Sequence, residues 1–333
     1  MIILEHVSRL FRSHGQLIRA VDDVSLEIGE GQVMSLVGES GSGKTTTGKM
    51  IAGLVTPSSG RVLFEGRDIR MLERDTRERY RRAVQIIHQD PYACLNPVRT
   101  VGDTLAAPLR LYGGADRRSR NARIGELLER VELTPAAAFV DKFPHQLSGG
   151  QRQRVAVARA LSVQPKFLVA DEAVSMIDVS LRISLLNLLL KLRWETGVAF
   201  LFITHDLALA RHFGWDGRIA VMYVGRIVEV GPTRAVIEDA QHPYTRALLA
   251  AVPEADPRIT RTKSRLRLRS QDPPSLLHLP PGCAFHPRCP WAESGLCDVI
   301  RPELTLVRDQ EVACHVAARE GALPDLTTVG SSQ

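Results

Sequence analysis

Long apolar runs are missing from this chain of 333 residues. The longest, such as residues 184–192, are interrupted by polar side chains and fall well short of the roughly 20 residues that span a bilayer, so no transmembrane helix is expected. The amino terminus also lacks the basic, apolar and small-residue succession of a secretory signal. These absences predict a chain that stays in the cytoplasm, where its thiols are reduced.

Aromatic residues are lacking where the chain is most basic. The formal net charge of +6 would suit nucleic acid or an anionic membrane surface as a partner. Much of the excess lies in residues 258–269, where Arg and Lys recur without the aromatic side chains that stack on bases. We therefore predict a solvated connector here rather than a nucleic-acid arm, and no nucleic-acid partner.

Strand-like and helix-like segments alternate along most of the chain, which predicts an α/β architecture. Internal repeats and low-complexity tracts are absent from the sequence. Beyond residue 232, Pro and Cys become frequent, and this change of composition predicts a separate carboxy-terminal module. The predicted strands are 1–10, 20–28, 32–37, 61–64, 167–170 and 198–203, and helical apolar spacing marks 121–133, 151–163 and 181–193.

A glycine-rich loop follows the strand predicted at 32–37 and matches the pattern G-x-x-x-x-G-K-[ST] of a P-loop. Glycines permit backbone conformations closed to other residues, so successive N–H groups can converge on phosphates. Lys44 would add a positive charge near the transferred phosphate, and the Thr45 hydroxyl would ligate Mg²⁺. A glycine-rich turn beside an exposed lysine is the alternative. The predicted nucleotide-binding residues here are Gly38, Ser40, Gly41, Ser42, Gly43, Lys44, Thr45 and Thr46.

Two acidic residues, Asp171 and Glu172, end the apolar segment 167–170. Burial of a strand would fix both carboxylates where the strand emerges. Alone, such a pair is most often a helix cap, but together with a P-loop it predicts a Walker B motif. Asp171 would then hold Mg²⁺ directly or through water, and Glu172 would polarise the attacking water as general base.

Small residues precede the helix predicted at 151–163: Ser148, Gly149 and Gly150, followed by Gln151. A helix amino terminus with free N–H groups binds phosphate, although Ser148 would also suit a simple helix cap. The position of this segment just before the Walker B motif resembles the signature of the ATP-binding cassette (ABC) family. In that family, the signature of one subunit closes over ATP held by the P-loop of another. The resemblance covers roughly residues 1–232.

The resemblance also assigns roles to four isolated residues. Gln89 matches the Q-loop, which approaches Mg²⁺ and touches the transmembrane partner. His205 matches the switch histidine beside the γ-phosphate, and Asp178 matches the acid at the dimer seam. Phe11 is the candidate for the aromatic ring that stacks on adenine, with a core phenylalanine as the alternative.

Two departures from the family pattern stand near Glu172. Ala173 occupies a position where proline is common, and Met176 and Ile177 replace the usual Ala-Leu. Neither change removes a phosphate or metal ligand, so the half-site on this chain is predicted to be a competent ATPase. The resemblance implies catalytic roles for Lys44, Gln89, Glu172 and His205, Mg²⁺ ligation by Thr45, Gln89 and Asp171, and adenosine triphosphate and Mg²⁺ as cofactors.

Longer stretches, at residues 89–97, 143–146 and 242–249, look like the ATPases of oligopeptide and dipeptide importers, whose relatives also import nickel or oligosaccharides. Segment 151–161 is closer to the second of the two ATPase subunits in such systems. The resemblance implies a heterodimer with a distinct ATPase at the cytoplasmic face of the membrane, bound to two permeases and served by an extracytoplasmic solute-binding protein.

The same resemblance implies a fold and its division. The fold is a P-loop ABC ATPase core, with a mixed sheet, flanking helices and an antiparallel β-subdomain. The ATPase domain would cover residues 1–235, with a helical subdomain at about 90–153, and a cysteine-rich extension would cover 236–333. A soluble ABC ATPase acting on nucleic acid or ribosomes is the alternative function, and a non-hydrolysing binding module is the third. The single cassette argues against the former, and Glu172 argues against the latter.

Four cysteines cluster late in the chain: Cys283, Cys289, Cys297 and Cys314. Their context is similar to the pattern that closes many peptide-importer ATPases. Four thiolates suit an iron–sulfur cluster or a tetrahedral zinc site. The resemblance favours [4Fe-4S] over Zn²⁺, with four buried free cysteines as a further possibility. Cys94 lies in the ATPase region and is predicted not to be a ligand.

Overall fold

A computed structural model describes residues 1–13, 15–112, 116–252, 266–277 and 279–324, without the side chains of residues 179 and 180. Most of the connector predicted at 258–269 therefore lies outside the described residues. Within the described ranges, no helix has both the length and the apolar character needed to cross a membrane.

Strands and helices alternate along the described chain, as predicted for an α/β protein. The strands are β1 (Ile2–Ser13), β2 (Gln16–Ile28), β3 (Val33–Val37), β4 (Ser59–Phe64), β5 (Arg67–Asp68), β6 (Val84–Ile87), β7 (Phe167–Asp171), β8 (Ala199–Thr204), β9 (Arg218–Tyr223), β10 (Arg226–Pro232), β11 (Thr305–Val307) and β12 (Gln310–Val312). The helices are α1 (Lys44–Ile51), α2 (Arg74–Ala83), α3 (Pro91–Cys94), α4 (Val101–Tyr112), α5 (Arg117–Arg130), α6 (Gly149–Leu161), α7 (Val179–Thr196), α8 (Leu207–Gly214), α9 (Thr233–Glu238), α10 (Pro243–Ala251) and α11 (His315–Glu320).

An eight-stranded sheet forms the centre, in the order β11-β12-β10-β9-β3-β8-β7-β6. The five strands from β9 to β6 are parallel to their neighbours, whereas β10, β11 and β12 pair antiparallel. Every residue of β3, β7 and β8 is buried, as expected for parallel strands covered on both faces. A second, antiparallel sheet has the order β2-β1-β4-β5. This mixed sheet with an antiparallel subdomain confirms the predicted fold of the ATPase core.

The parallel strands bring the predicted site together. Because the carboxyl ends of parallel strands meet at one edge of a sheet, the residues that follow β3, β6, β7 and β8 become neighbours. The P-loop follows β3, Gln89 follows β6, Asp171 ends β7, and His205 follows β8. We call this the nucleotide edge of the sheet.

Helices α3 to α6 form the helical insertion that the apolar spacing of 121–133 predicts. The predicted apolar face of α5 is buried, as shown by Ile124, Leu127, Leu128 and Val131. These side chains share one hydrophobic core with Val155 of α6 and with strands β7 and β8. The insertion is therefore packed onto the main sheet through α6.

The carboxy-terminal part of the chain, for which composition predicts a separate module, packs directly against the ATPase core. Strand β12 pairs with β10, with Glu229 opposite Val312, so β11 and β12 extend the main sheet. Phe285 and Cys289 share a hydrophobic core with Val37 of β3. Frequent Pro and Cys residues mark irregular local structure, but they do not determine where that structure packs.

Candidate nucleotide-binding and catalytic site

The P-loop runs from the end of β3 to the first residue of α1. Gly38, Gly41 and Gly43 have positive φ angles of 153°, 79° and 106°. A Cβ atom at Gly38 would collide with the carbonyl oxygen of Met222, and one at Gly43 would collide with that of Ala20. Glycine is therefore required at these two positions, both by conformation and by the close approach of neighbouring backbone.

Lys44 is buried, and its ammonium lies over the P-loop. Its Nζ donates hydrogen bonds to the carbonyl oxygens of Gly38 at 2.7 Å and Glu39 at 2.8 Å, and lies 3.4 Å from Ser42 Oγ. Burial lowers the pKa of Lys44, although nearby carboxylates oppose this shift. An anion bound in the loop would stabilise the charged ammonium.

Thr45 and Asp171 form a pair of oxygen ligands at the nucleotide edge. The Thr45 hydroxyl donates to Asp171 Oδ1 at 2.9 Å. Burial raises the pKa of Asp171, while the Thr45 hydrogen bond opposes the rise. A bound cation would favour the ionised carboxylate, and Mg²⁺ prefers oxygen ligands of these two kinds. The pair therefore fits the predicted magnesium site.

Glu172 is the centre of a hydrogen-bond cluster. Its Oε2 accepts from Gln89 Nε2 at 2.9 Å and from Ser175 Oγ at 3.1 Å, and His205 Nδ1 lies 3.2 Å from its Oε1. The backbone at Glu172 has a φ of 47°, which is uncommon for a residue with a side chain. Three predicted catalytic residues, Gln89, Glu172 and His205, thus meet at one carboxylate.

Ser175 was not among the sequence-predicted site residues. It follows Glu172 by three positions in a turn closed by a 3.0 Å hydrogen bond from the Ser175 amide to the Glu172 carbonyl. A serine at this spacing after an acid is a weak local signal, because many surface turns have it.

The predicted signature residues form the amino terminus of α6. Ser148 is exposed and caps the helix, with Gln151 N donating to Ser148 Oγ at 3.3 Å and Ser148 N donating to Gln151 Oε1 at 3.0 Å. The capping role that the sequence left open is thus present as a full capping box. Gly149 and Gly150 follow in the first turn, and Asp178 is the exposed N-cap residue of α7.

Helix α6 also contacts the segment around Gln89. Gln153 Nε2 donates to the carbonyl oxygen of His88 at 3.2 Å, and Arg159 donates to that of Cys94 at 2.6 Å. The Arg152 guanidinium lies 3.9 Å from the ring centroid of Tyr92. These contacts join the segment around Gln89 to the helix whose amino terminus carries the predicted signature.

Phe11 lies on β1 and is half-buried, so it is not the core phenylalanine of the alternative interpretation. The Arg9 guanidinium lies 4.6 Å from its ring centroid. Thr46, the last predicted phosphate-loop residue, is half-buried in the first turn of α1.

The four late cysteines line one small cavity together with Trp291. Burial raises the pKa of Cys283 to about 12 and also raises those of Cys289 and Cys314. In the described parts of the chain, no group of three or more His, Cys, Asp or Glu side chains is arranged to hold a metal ion. The four cysteines therefore lie close together, but their side chains are not arranged as the ligands of a metal ion. Cys94 lies elsewhere, with its thiol donating to the Pro91 carbonyl at 3.4 Å.

Two protein families match this chain. Residues 21–175 match the family described as ABC transporter, and residues 228–297 match the family described as oligopeptide/dipeptide transporter, C-terminal region. Together they include all of the nucleotide edge except His205, and three of the four late cysteines.

Several named relatives are similar over most of the chain. A probable peptide ABC transporter ATP-binding protein, y4tS, from Sinorhizobium fredii is 43% identical, covering 94% of this chain and 86% of the relative. The di/tripeptide transport ATP-binding protein DppF of Pseudomonas aeruginosa is 43% identical, with coverages of 93% and 94%. The glutathione import ATP-binding protein GsiA of Escherichia coli is 49% identical, over 79% of this chain and 41% of the longer relative.

Solved structures agree with these similarities. The ATP-binding cassette MJ0796, in a dimeric post-hydrolysis state bound to ADP and Pi, has a TM-score of 0.63 and 33% identity, covering 70% of this chain and 99% of that one. CbiO1 of Clostridium perfringens, part of the ABC transporter complex cbiONQ, has a TM-score of 0.61 and 26% identity, with coverages of 71% and 90%. This chain therefore belongs to the ATPase subunits of ABC transporters, in the family of oligopeptide and dipeptide importers.

Proposed function

We propose that this chain hydrolyses ATP at the cytoplasmic face of the membrane to energise the import of oligopeptides, dipeptides or a related solute. The observation that carries the proposal is the Glu172 carboxylate, bonded to Gln89 and Ser175 and close to His205, next to the Thr45–Asp171 pair. The names of the relatives, which specify peptide, di/tripeptide and glutathione import, support the class of cargo.

Nucleotide binding rests on the P-loop and α1. The loop N–H groups and the amino terminus of α1 are suited to hold phosphate oxygens, and Lys44 exchanges its carbonyl partners for the phosphates. Thr45, Gln89 and Asp171 would hold Mg²⁺, which would supply positive charge beside the transferring phosphate. Phe11 is proposed to stack on adenine, since its half-buried ring is available on β1.

Hydrolysis is assigned to the cluster around Glu172. Glu172 accepts a proton from the attacking water, while Gln89 and Ser175 orient its carboxylate through their hydrogen bonds. His205 donates a hydrogen bond to the transferring phosphoryl group and so stabilises its charge. Gln89, Glu172 and His205 each follow a strand of the main sheet closely, so the sheet holds these three residues in place.

The signature residues Ser148, Gly149, Gly150 and Gln151 are proposed to contact ATP held by a partner ATPase, with Asp178 at the seam between the subunits. The exposed, capped amino terminus of α6 supports this role, because it presents backbone N–H groups to an anion. The cassette MJ0796, which is dimeric in its solved structure, supports a two-subunit arrangement. We propose that the partner here is a distinct second ATPase, which makes a heterodimer.

The helical insertion is proposed to contact two permease subunits. Tyr92 and Val98, which follow Gln89 closely, are exposed apolar side chains beside the Q-loop. Their position supports a docking surface that moves when Gln89 engages the nucleotide. An extracytoplasmic solute-binding protein would select the cargo. We further propose that residues 1–235 form the ATPase domain and that residues 236–333 are an extension that carries the cysteine-rich motif.

A cofactor is proposed for the four cysteines, as [4Fe-4S] or alternatively Zn²⁺. Their common cavity supports a shared ligand, and closure onto an ion would require the thiols to lose their protons. Anaerobic purification followed by iron analysis and visible absorbance tests this proposal. A colourless, zinc-loaded protein would exclude the cluster, and protein free of both metals would leave four structural cysteines.

ATP-driven import is tested with the whole complex. The chain is co-expressed with its second ATPase and two permeases, and the purified complex is placed in vesicles with the solute-binding protein. Peptide uptake that requires ATP on the side of the membrane where the ATPase subunits lie, and that is lost with Lys44→Ala, supports the proposed function. A protein that purifies with nucleic acid or ribosomes, and without permeases, would instead favour a soluble ABC ATPase.

A further inference from the structure

Glu39, at the second position of the P-loop, has all three of its polar groups bonded. Its backbone N–H donates to the hydroxyl of Tyr244 at 2.8 Å, and its carbonyl oxygen accepts from Lys44 Nζ at 2.8 Å. Its carboxylate accepts two hydrogen bonds from Arg288, at 3.0 Å and 3.1 Å. Two of these three partners come from the carboxy-terminal part of the chain, more than 200 residues away.

Arg288 is only 6% exposed, and it is held in place from several sides. Its guanidinium also donates to the hydroxyl of Tyr223 at 3.3 Å, and it lies 5.7 Å and 5.6 Å from the ring centroids of Tyr223 and Phe285. The Arg288 amide closes a turn by donating to the Phe285 carbonyl at 3.0 Å. A bidentate arginine–carboxylate pair fixes orientation as well as charge.

We propose that Arg288 is a positioning residue of the nucleotide site. By holding the Glu39 carboxylate, it sets the P-loop backbone on which Lys44 is bonded, so the affinity for Mg·ATP depends on a residue of the carboxy-terminal segment. This inference rests on the proposed function. Tyr244 completes the clamp by holding the Glu39 amide from the same side.

The contacts between Arg288 and Glu39 predict how substitutions of these two residues change the affinity for Mg·ATP. Arg288→Ala removes both hydrogen bonds and leaves the loop free to shift, so the dissociation constant of Mg·ATP should rise about 10-fold, the scale of one charge-assisted pair. Glu39→Gln should produce a similar rise. The double variant should be no worse than either single variant, because both changes break the same contact. Arg288→Lys should be intermediate, since one ammonium cannot bond both carboxylate oxygens in parallel.

The experiment titrates the assembled complex with Mg·ATP and measures the dissociation constant, KM and kcat for each variant. Arg319→Ala is the matched control, because it breaks an exposed arginine–glutamate pair in the same carboxy-terminal segment without contacting the P-loop. We expect a change in the dissociation constant and KM that exceeds the change in kcat, with the control unaffected.

Two outcomes would overturn the inference. One is a folded Arg288→Ala protein with the affinity of the unmodified chain, and the other is strictly additive effects of Arg288→Ala and Glu39→Gln. If Arg288→Ala fails to fold, the milder Arg288→Lys and Glu39→Gln variants decide the question by the same criterion. If the unmodified complex itself binds no Mg·ATP, the proposed function fails, which is a different result.

Discussion

The nucleotide edge and the core beneath the carboxy-terminal segment both bury titratable side chains, but they differ in what could restore the charge of those groups. At the edge, burial lowers the pKa of Lys44 and raises that of Asp171, and a bound magnesium nucleotide would favour the charged form of both. In the carboxy-terminal core, burial raises the pKa of Glu229 to about 7 and lowers that of His242 to about 3. A charged ligand can therefore be accommodated at the edge, whereas Glu229 and His242 favour their neutral forms.

The largest effect is expected from Glu172→Gln, which keeps the size of the side chain at the nucleotide edge and removes the carboxylate proposed as the general base. Hydrolysis by the assembled complex should slow at least about 100-fold, the scale of general base catalysis, while ATP binding is retained. Phosphate release and nucleotide binding, measured on the same preparation, test this. Glu195→Gln on the exposed face of α7 serves as a control. Unchanged hydrolysis would remove Glu172 from the mechanism.

Glu229 makes the stability of the carboxy-terminal core depend on pH, and this dependence can be measured. Its side chain is fully buried, and Oε1 accepts backbone N–H groups from Gln241 and His242. Because its folded pKa of about 7 exceeds the ordinary value of 4.5, the protonated form contributes stability that is present below pH 4.5 and lost as pH rises through 7.

Glu229→Gln should remove this pH dependence, since the amide cannot ionise. Its free energy of unfolding, relative to the unmodified chain, should increase by about 3 kcal/mol between pH 4.5 and 7.5. Urea denaturation at both pH values measures the difference. A difference that does not vary with pH would mean that Glu229 ionises as an ordinary carboxyl and that the core does accept charge.

A smaller change is expected from Ser175→Ala, which removes one of the hydrogen bonds to Glu172 and leaves the others. A hydrogen bond to a charged group contributes about 1.5 kcal/mol or more, so kcat should fall about 10-fold with little change in KM. Steady-state ATPase assays on the complex separate the two constants. Ser175→Thr, which retains the hydroxyl, should recover most of the rate, and a failure to do so would assign Ser175 a packing role.

Substitutions of Ser148 are expected to have the smallest effect, and they distinguish its role as a helix cap from its proposed contact with the partner's ATP. Ser148→Ala should lower the free energy of unfolding by about 1 kcal/mol through loss of the cap on α6. Ser148→Asp should retain stability, because Asp is also a good cap, yet its negative charge should weaken closure over the partner's ATP. Denaturation and ATPase measurements on both variants are compared. Full activity of Ser148→Asp would exclude the proposed contact with phosphate.

Much of the nucleotide edge could be predicted from local patterns. The P-loop and the acids that end β7 follow from a motif placed after an apolar segment, and the capping potential of Ser148 is visible from its neighbours. Gln89 and His205 required a family resemblance, because a single polar residue after a strand has many uses. The contact between Glu39 and Arg288 joins residues 249 positions apart, and no local pattern records such a pair.

The carboxy-terminal strands could not be predicted for a different reason. Strands β11 and β12 are three residues long each, too short for alternation of apolar residues to be distinguished from chance. What defines them is pairing with β10, which depends on tertiary structure. A shift in composition marks a change of local structure after residue 232, but it does not record that this part of the chain shares a core with Val37 and Tyr223.

The position of β12 beside β10 has a consequence for any shortened form of this chain. If the protein ended before Thr305, β10 would become the edge strand of the main sheet. Its backbone groups that now pair with β12 would be unpaired, and nearby apolar side chains would be exposed. Exposed strand margins of this kind recruit other chains and promote aggregation. The β11–β12 pair thus protects β10 from pairing with other chains.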